Sequence, residues 1–280
     1  MYPELITLDL PVIGALTITS FGVMMALAFL AGYKVVRSEL TRLGRDPEFA
    51  GDLLLGALIG GVVGAKLYYV LLNWEFTAQD PFGMLFSRAG LVWYGGLMGA
   101  TALMAYMVQR RGESKRQIAD TIAPGAALAY GIGRIGCFLV GDDYGRPTES
   151  WVGIAFPNGS PPSTAGNLRR GFGVSIPDSV ADSTVLAVHP TQLYEVGLSL
   201  LIFAVLWRWR GGNKPLGWLF SVWVILAGLE RFAVEFFRAK DDRFFGVLTL
   251  AQVISLLLVG VGFWLVRRSE ALRGDGPAAA

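Results

Sequence analysis

Seven charge-poor stretches, each about as long as a bilayer is thick at roughly 20 residues, dominate this 280-residue chain. They fall near 11–33, 53–73, 89–109, 119–140, 190–208, 216–237 and 244–266. The direct reading is seven transmembrane helices in an all-α polytopic membrane protein. Composition agrees, with 53% hydrophobic and 16% charged residues and a mean hydropathy of +0.50, values outside the range of soluble domains. A single cysteine, Cys137, excludes an internal disulfide and a multi-cysteine metal site. The single histidine, His189, argues equally against a histidine-rich metal centre.

Three basic residues interrupt these stretches: Lys66, Arg134 and Arg231. An arginine at mid-membrane costs roughly 2.5–3.5 kcal/mol on insertion scales, so it faces a partner or a polar cavity. Convergent arginines equip a membrane protein to hold an anion, phosphate first among them.

Lysine and arginine outside the stretches set the orientation. One side holds fourteen, in the groups Lys34–Arg45, Arg110–Arg116, Arg208–Lys214 and Arg267–Arg273, and the other holds Arg88, Arg146, Arg169, Arg170, Arg238, Lys240 and Arg243. This asymmetry predicts a periplasmic N-terminus and a cytoplasmic C-terminus. Residues 1–140 then carry helices one to four, 141–188 form a periplasmic cap, and 189–268 carry helices five to seven. Residues 269–280 are a cytoplasmic tail whose alanine-rich end, 276–280, reads as frayed. The first apolar run lacks a basic n-region and a cleavage pattern, so it reads as a retained helix. Pro-Asn-Gly at 157–159 and Pro-Pro at 161–162 predict a small loop-and-strand cap.

Four polar constellations stand out. The first runs from Gly131 to Arg146 and includes Gly133, Arg134, Gly136, Cys137, Asp142 and Gly145, with Arg134 about two helical turns before Asp142. Small residues alone would serve helix packing, but packing does not call for an arginine. In the second, Arg231, Glu235 and Arg238 share the spacing of one helix face. That is either an ion-pair ladder or a ladder with one positive charge left over for a phosphodiester. Glu230 points elsewhere, toward Lys66 or another helix. The third, His189 to Glu195, re-enters the membrane with Pro190 placed for a first helical turn. There His189 reads as a structural hydrogen-bonder sooner than as a base. The fourth is Val92-Trp93-Tyr94-Gly95-Gly96-Leu97. Trp93 fits an interfacial belt, whereas the glycine pair implies a tight approach that turns the Tyr94 hydroxyl toward a cavity.

With these residues on view, the chain resembles the prolipoprotein diacylglyceryl transferases of bacterial inner membranes. The Gly133–Arg146 stretch matches that family's signature in frame. The likeness extends through Asp120, Pro124, His189–Glu195, Arg231–Arg238 and Leu248–Gln252. The resemblance implies transfer of the diacylglyceryl group of phosphatidylglycerol to the lipobox cysteine of a preprolipoprotein, with a thioether formed and glycerol 1-phosphate released. It implies no metal, nucleotide or nucleic acid. By the same resemblance Arg134 and Arg231 hold the phosphate and head group, Asp142 steadies Arg134 or accepts a proton, and Glu235 and Arg238 orient Arg231. Gly145, Cys137 and Phe21 match substrate-binding positions.

The match has departures. Tyr94 stands where the family has a histidine proposed as a base, and Cys137 and Val140 replace two asparagines. Phe21 replaces a tyrosine, Lys66 an arginine, and Asp142 a glutamate. A tyrosine with a lowered pKa still serves as a base. Alternatively, the arginines alone lower the pKa of the incoming thiol. The competing reading is a lipid-binding or transport homologue without chemistry, although the internal repeats typical of transporters are not visible. An intramembrane aspartyl protease would need two facing aspartates, whereas Asp142 and Asp143 are adjacent.

Overall fold

The computed structural model describes residues 2–10, 14–87, 90–239, 243–244 and 248–274. Arg88 and Lys240 of the charge count and the 276–280 tail lie outside these residues. The chain is mostly helical. Among the described residues, Ser20–Arg42, Phe49–Leu72, Lys115–Val140 and Leu250–Leu272 are long and apolar enough to cross a membrane. The protein is a multi-pass membrane protein.

In the first apolar run, residues 14–19 are a strand and not a helix. Strands β1 (Glu4–Leu10) and β2 (Gly14–Thr19) pair antiparallel, and helix α1 (Ser20–Arg42) starts only at Ser20. The β-branched run Thr17, Ile18, Thr19 favours extended backbone, and hydrophobicity alone cannot separate a short buried strand from a helix. The Thr19 hydroxyl accepts from the Gly22 amide at 3.1 Å and caps α1. Because α1 runs to Arg42, Lys34 and Arg37 lie within a helix and not in a loop.

The chain divides into two compact units, with the division falling inside α1 and inside α6 (Lys115–Val140). The unit of residues 33–121 centres on α2 (Phe49–Leu72) and α5 (Trp93–Arg110). A Cβ on Gly60 or Gly64 would strike the carbonyls of Gly99 and Gly95, so these glycines set the close approach of the two helices. Two short helices follow α2, namely α3 (Trp74–Gln79) and α4 (Pro81–Phe86). Lys66 donates to the Ser87 carbonyl at 2.8 Å and to its hydroxyl at 2.7 Å, which is how an ammonium is accommodated on an apolar helix.

The other unit holds residues 1–32 and 122–280. Ala123 and Ala127 of α6 join Ile202 and Leu206 of α8 (Thr191–Trp209) and Leu219 of α9 (Trp218–Glu235) in one buried core. Helix α10 (Leu250–Gly274) starts later than the apolar run at 244. Thr249 and Gln252 cap it reciprocally, each side chain accepting from the other's amide at 3.0 and 3.1 Å. The segment 141–188 contains the strand pair β3 (Ile154–Ala155) and β4 (Ala187–Val188) and also an unforeseen helix, α7 (Ala165–Phe172). Thr164 caps that helix. Tyr144, Phe156, Leu168 and Val188 form its core.

Candidate functional site

Helix α6 ends at Val140, and the Cys137 carbonyl accepts from the amides of Gly141 and Asp142 at 2.9 and 3.2 Å. Gly141 (φ 73°) and Asp143 (φ 55°) then adopt left-handed backbone, which glycine takes freely and aspartate tolerates better than most residues. The turn swings the Asp143 carboxylate back over α6. One of its oxygens lies 2.9 Å from Arg134 Nη1 and the other 2.9 Å from Arg238 Nη2.

Arg134 has a second carboxylate. Glu195, on the first turns of α8 and fully buried, accepts from Arg134 Nη2 at 2.9 Å and also lies 2.9 Å from its Nε. The Tyr130 hydroxyl, one turn before Arg134, donates to the same Glu195 at 2.8 Å. Burial of a charge requires such partners, and here two carboxylates and a phenol hold one guanidinium in a fixed pose.

On α9, Arg231 pairs with Glu235 at 2.6 Å. Arg238 is not on that helix, contrary to the single-face expectation: α9 ends at Glu235, and Arg238 sits in a β-bridge opposite Gly145. From there it reaches Asp143 and lies 3.7 Å from Glu235. Five charged groups therefore form a relay in the order Arg134, Asp143, Arg238, Glu235, Arg231. With Glu195 on Arg134 the three arginines are matched by three carboxylates, and at the far end Arg231 keeps a buried Nη1 without a hydrogen-bond partner among the described residues.

Gly145 is what lets the strands close. Its amide donates to the His189 carbonyl at 2.8 Å, and the next amide, of Arg146, donates to the Phe237 carbonyl at 2.8 Å. A Cβ at 145 would collide with the Phe237 carbonyl and stand 2.8 Å from the His189 Cβ. Gly145→Ala is therefore expected to destabilise the fold by about 1–3 kcal/mol, the usual cost of overpacking. It should also lower turnover by displacing Arg238, measured as thermal unfolding and rate on the same detergent-solubilised sample.

The other expected site residues are distributed as follows. Phe21 covers α6 at Gly136, where an added Cβ would lie 3.3 Å from its ring. Cys137 is buried, and its Sγ accepts from Arg134 Nη1 at 3.6 Å. Asp142 does not hold Arg134; its neighbour Asp143 takes that position because of the left-handed turn. The Asp142 carbonyl instead accepts from the Gln192 side chain, and its Oδ1 is buried with no hydrogen-bond partner among the described residues. Burial, and then Asp143, push the Asp142 carboxyl above its usual range. For Asp143 burial acts in the same direction, but Arg238 and Arg134 outweigh it and keep this carboxyl below that range. Glu230 finds its partner on α8, accepting from the Ser199 hydroxyl at 2.6 Å. His189 is bonded to the Tyr194 hydroxyl at 3.0 Å and packs its edge on Phe237, the structural hydrogen-bonder expected of it. Tyr94 belongs to the 33–121 unit, is half exposed, and sits edge-on to Trp93 with ring centroids 5.2 Å apart. Sequence reasoning placed Asp143, Gln192 and Glu195 in its polar clusters but gave none of them a partner, and it did not single out Tyr130.

An apolar cavity of about 560 Å³ lies between α8 and α9, lined by Leu193, Tyr194, Leu198, Val234, Phe237 and their neighbours. The three arginines are not among its described lining. Cys137, Asp142 and Asp143 bring possible metal-ligand atoms within 4.8 Å of one another. Both Asp143 oxygens are engaged by guanidiniums and Arg134 donates to Cys137, so positive charge already occupies the position a cation would take.

The profile of the family described as prolipoprotein diacylglyceryl transferase matches residues 10–268. Among curated relatives, the phosphatidylglycerol–prolipoprotein diacylglyceryl transferase of Clostridium tetani is 30% identical over 251 residues, or 89% of this chain and 92% of its own. The protein of that name from Nitratidesulfovibrio vulgaris (strain Miyazaki F) is 30% identical over 276 residues, covering 95% of each chain. The form numbered 2 in Clostridium perfringens is 29% identical over 261 residues, covering 92% of this chain and 93% of its own.

Proposed function

We propose, because this chain belongs to the prolipoprotein diacylglyceryl transferase family, that the relay from Arg134 to Arg231 is where it handles the donor lipid. The chain is a membrane transferase that moves the diacylglyceryl group of phosphatidylglycerol to a prolipoprotein. The acceptor is the lipobox cysteine. Its thiolate attacks the glyceryl carbon bearing the phosphate ester, a C–S bond forms, and the C–O bond breaks. The electron pair leaves on oxygen as glycerol 1-phosphate. Thiolate is the reactive form of the cysteine, and the departing phosphate needs preorganised donors. The observation that carries this reading is the doubly bridged carboxylate of Asp143. It fixes Arg134 and Arg238 side by side before any substrate arrives, so no reorganisation is needed as charge develops.

The proton released by the thiol needs an acceptor. Asp142 suits it, because Asp143 already steadies Arg134 and because the Asp142 carboxyl is raised by burial. Tyr94 is the rival. Tyr94→Phe is expected to lower turnover modestly, and an unchanged rate removes it as a base. Asp142→Asn is expected to remove the acidic limb of the pH–rate profile. A carboxyl with a raised pKa loses its charge as pH falls through a value above the ordinary 3.8, while Asp143, held lower, stays ionised there.

We further infer seven spans, α1, α2, α5, α6, α8, α9 and α10, with the N-terminus and the 141–188 cap outside and the C-terminus in the cytoplasm. The excess of lysine and arginine on one side supports this orientation in a bacterial inner membrane. The test of function is direct. Purified protein in phosphatidylglycerol vesicles should convert a lipobox peptide into its diacylglyceryl thioether, detected as a mass increase. Failure under conditions where the Clostridium tetani relative succeeds would favour a lipid-binding homologue without chemistry.

A further inference from the structure

Gln192 is completely buried on the first turn of α8. Its Nε2 donates to the Asp142 carbonyl. Its Oε1 is buried and, among the described residues, has no hydrogen-bond partner. Buried amide oxygens nearly always find a donor. Exchanging the amide's N and O would set two carbonyl oxygens against each other, so the orientation is fixed by the Asp142 contact. Thr191 beside it donates to the Asp143 carbonyl at 2.7 Å, and Glu195 one turn later holds Arg134. A fixed acceptor therefore stands on α8 one turn before Glu195, the carboxylate that holds Arg134, with its position set by two neighbouring backbone anchors. An acceptor in that place calls for a ligand that presents a donor close to a phosphate.

We propose that Gln192 determines specificity for the donor lipid by accepting a hydrogen bond, through Oε1, from a hydroxyl of a polyol phosphate head group. This rests on the transferase reading above and deepens it: the arginines recognise the phosphate that all phospholipids share, and Gln192 recognises the hydroxyl that only some carry. A pocket shaped by a buried polar group rejects a ligand lacking the matching partner more strongly than an apolar pocket rejects an extra group.

The experiment compares phosphatidylglycerol with phosphatidylpropanol, which keeps three head-group carbons and lacks both hydroxyls, in wild type, Gln192→Met and Gln192→Glu. Wild type should prefer phosphatidylglycerol by roughly 10- to 100-fold in kcat/KM, the loss expected when one buried acceptor is left unmet, with most of the difference in KM. Gln192→Met should bring that ratio close to one. Gln192→Glu also loses the anchor to the Asp142 carbonyl but keeps an acceptor oxygen, so it should retain most of the preference. A purely structural residue would lower both lipids together and leave the ratio intact in the Met variant, which would overturn the proposal. Equal kcat/KM for the two lipids in wild type would do so as well, a water then filling the acceptor's place. Absence of transfer from either lipid in wild type would instead refute the transferase reading itself.

Discussion

Arg134→Ala is expected to abolish diacylglyceryl transfer, with a loss of at least about 10²–10³-fold, the effect of removing one preorganised donor from a developing oxyanion. The same change strands Glu195, which is fully buried and has Arg134 as its cationic partner. Breaking a buried pair from one side costs about 3–5 kcal/mol, so a dead variant alone would not separate chemistry from folding. The double variant Arg134→Ala with Glu195→Gln removes both charges, and Tyr130 can still donate to the new amide oxygen. Its unfolding temperature should recover toward wild type while transfer remains absent. Recovery of transfer in the double variant would mean that Arg134 serves the fold and not the phosphate.

Much of this site was legible in the sequence, and the missing part has a physical reason. Arg134 lies six residues before the end of α6, Glu195 four residues into α8, and Arg231 four residues before the end of α9. At about 1.5 Å per residue these three charges share a depth within one helical turn of each other, and a buried cation demands a nearby anion. Once the helix ends are known, depth alone pairs Glu195 with Arg134, a pairing the sequence reading did not make. Helical spacing misled wherever the helix stopped early. Arg231, Glu235 and Arg238 keep face periodicity in the sequence, yet Arg238 lies beyond the helix end. Asp142 keeps two-turn spacing from Arg134, yet the turn after Val140 hands the contact to Asp143. That turn depends on a left-handed aspartate, and no local pattern distinguishes Asp143 from Asp142 in advance. The hairpin ahead of α1 was hidden for a different reason, because a β-branched apolar strand and the start of a membrane helix look alike in hydropathy.

Asp143→Asn is expected to lower kcat/KM by about 10²-fold while preserving the turn that presents the side chain. Asparagine is among the few residues that tolerate left-handed backbone, so the φ of 55° at this position is not strained by the change. What the change removes is the negative charge that holds two guanidiniums together, each 2.9 Å from a separate oxygen of one carboxylate. The amide still accepts from one arginine but can only donate toward the other, which places an N–H against a cation. Arg238 then keeps Glu235, 3.7 Å away, as its acidic partner among the described residues, and is drawn toward Arg231 and away from Arg134. The Asp143 side chain is 42% exposed, so solvent screens part of the loss and the stability cost should stay near 1–3 kcal/mol, smaller than that of Arg134→Ala. Asp143→Ala adds backbone strain to the same loss of charge and should unfold at a lower temperature than Asp143→Asn at equal activity. If Asp143→Asn instead keeps wild-type kcat/KM, the two arginines do not need their shared carboxylate to act on phosphate. Catalysis would then rest on Arg134 and Glu195 alone.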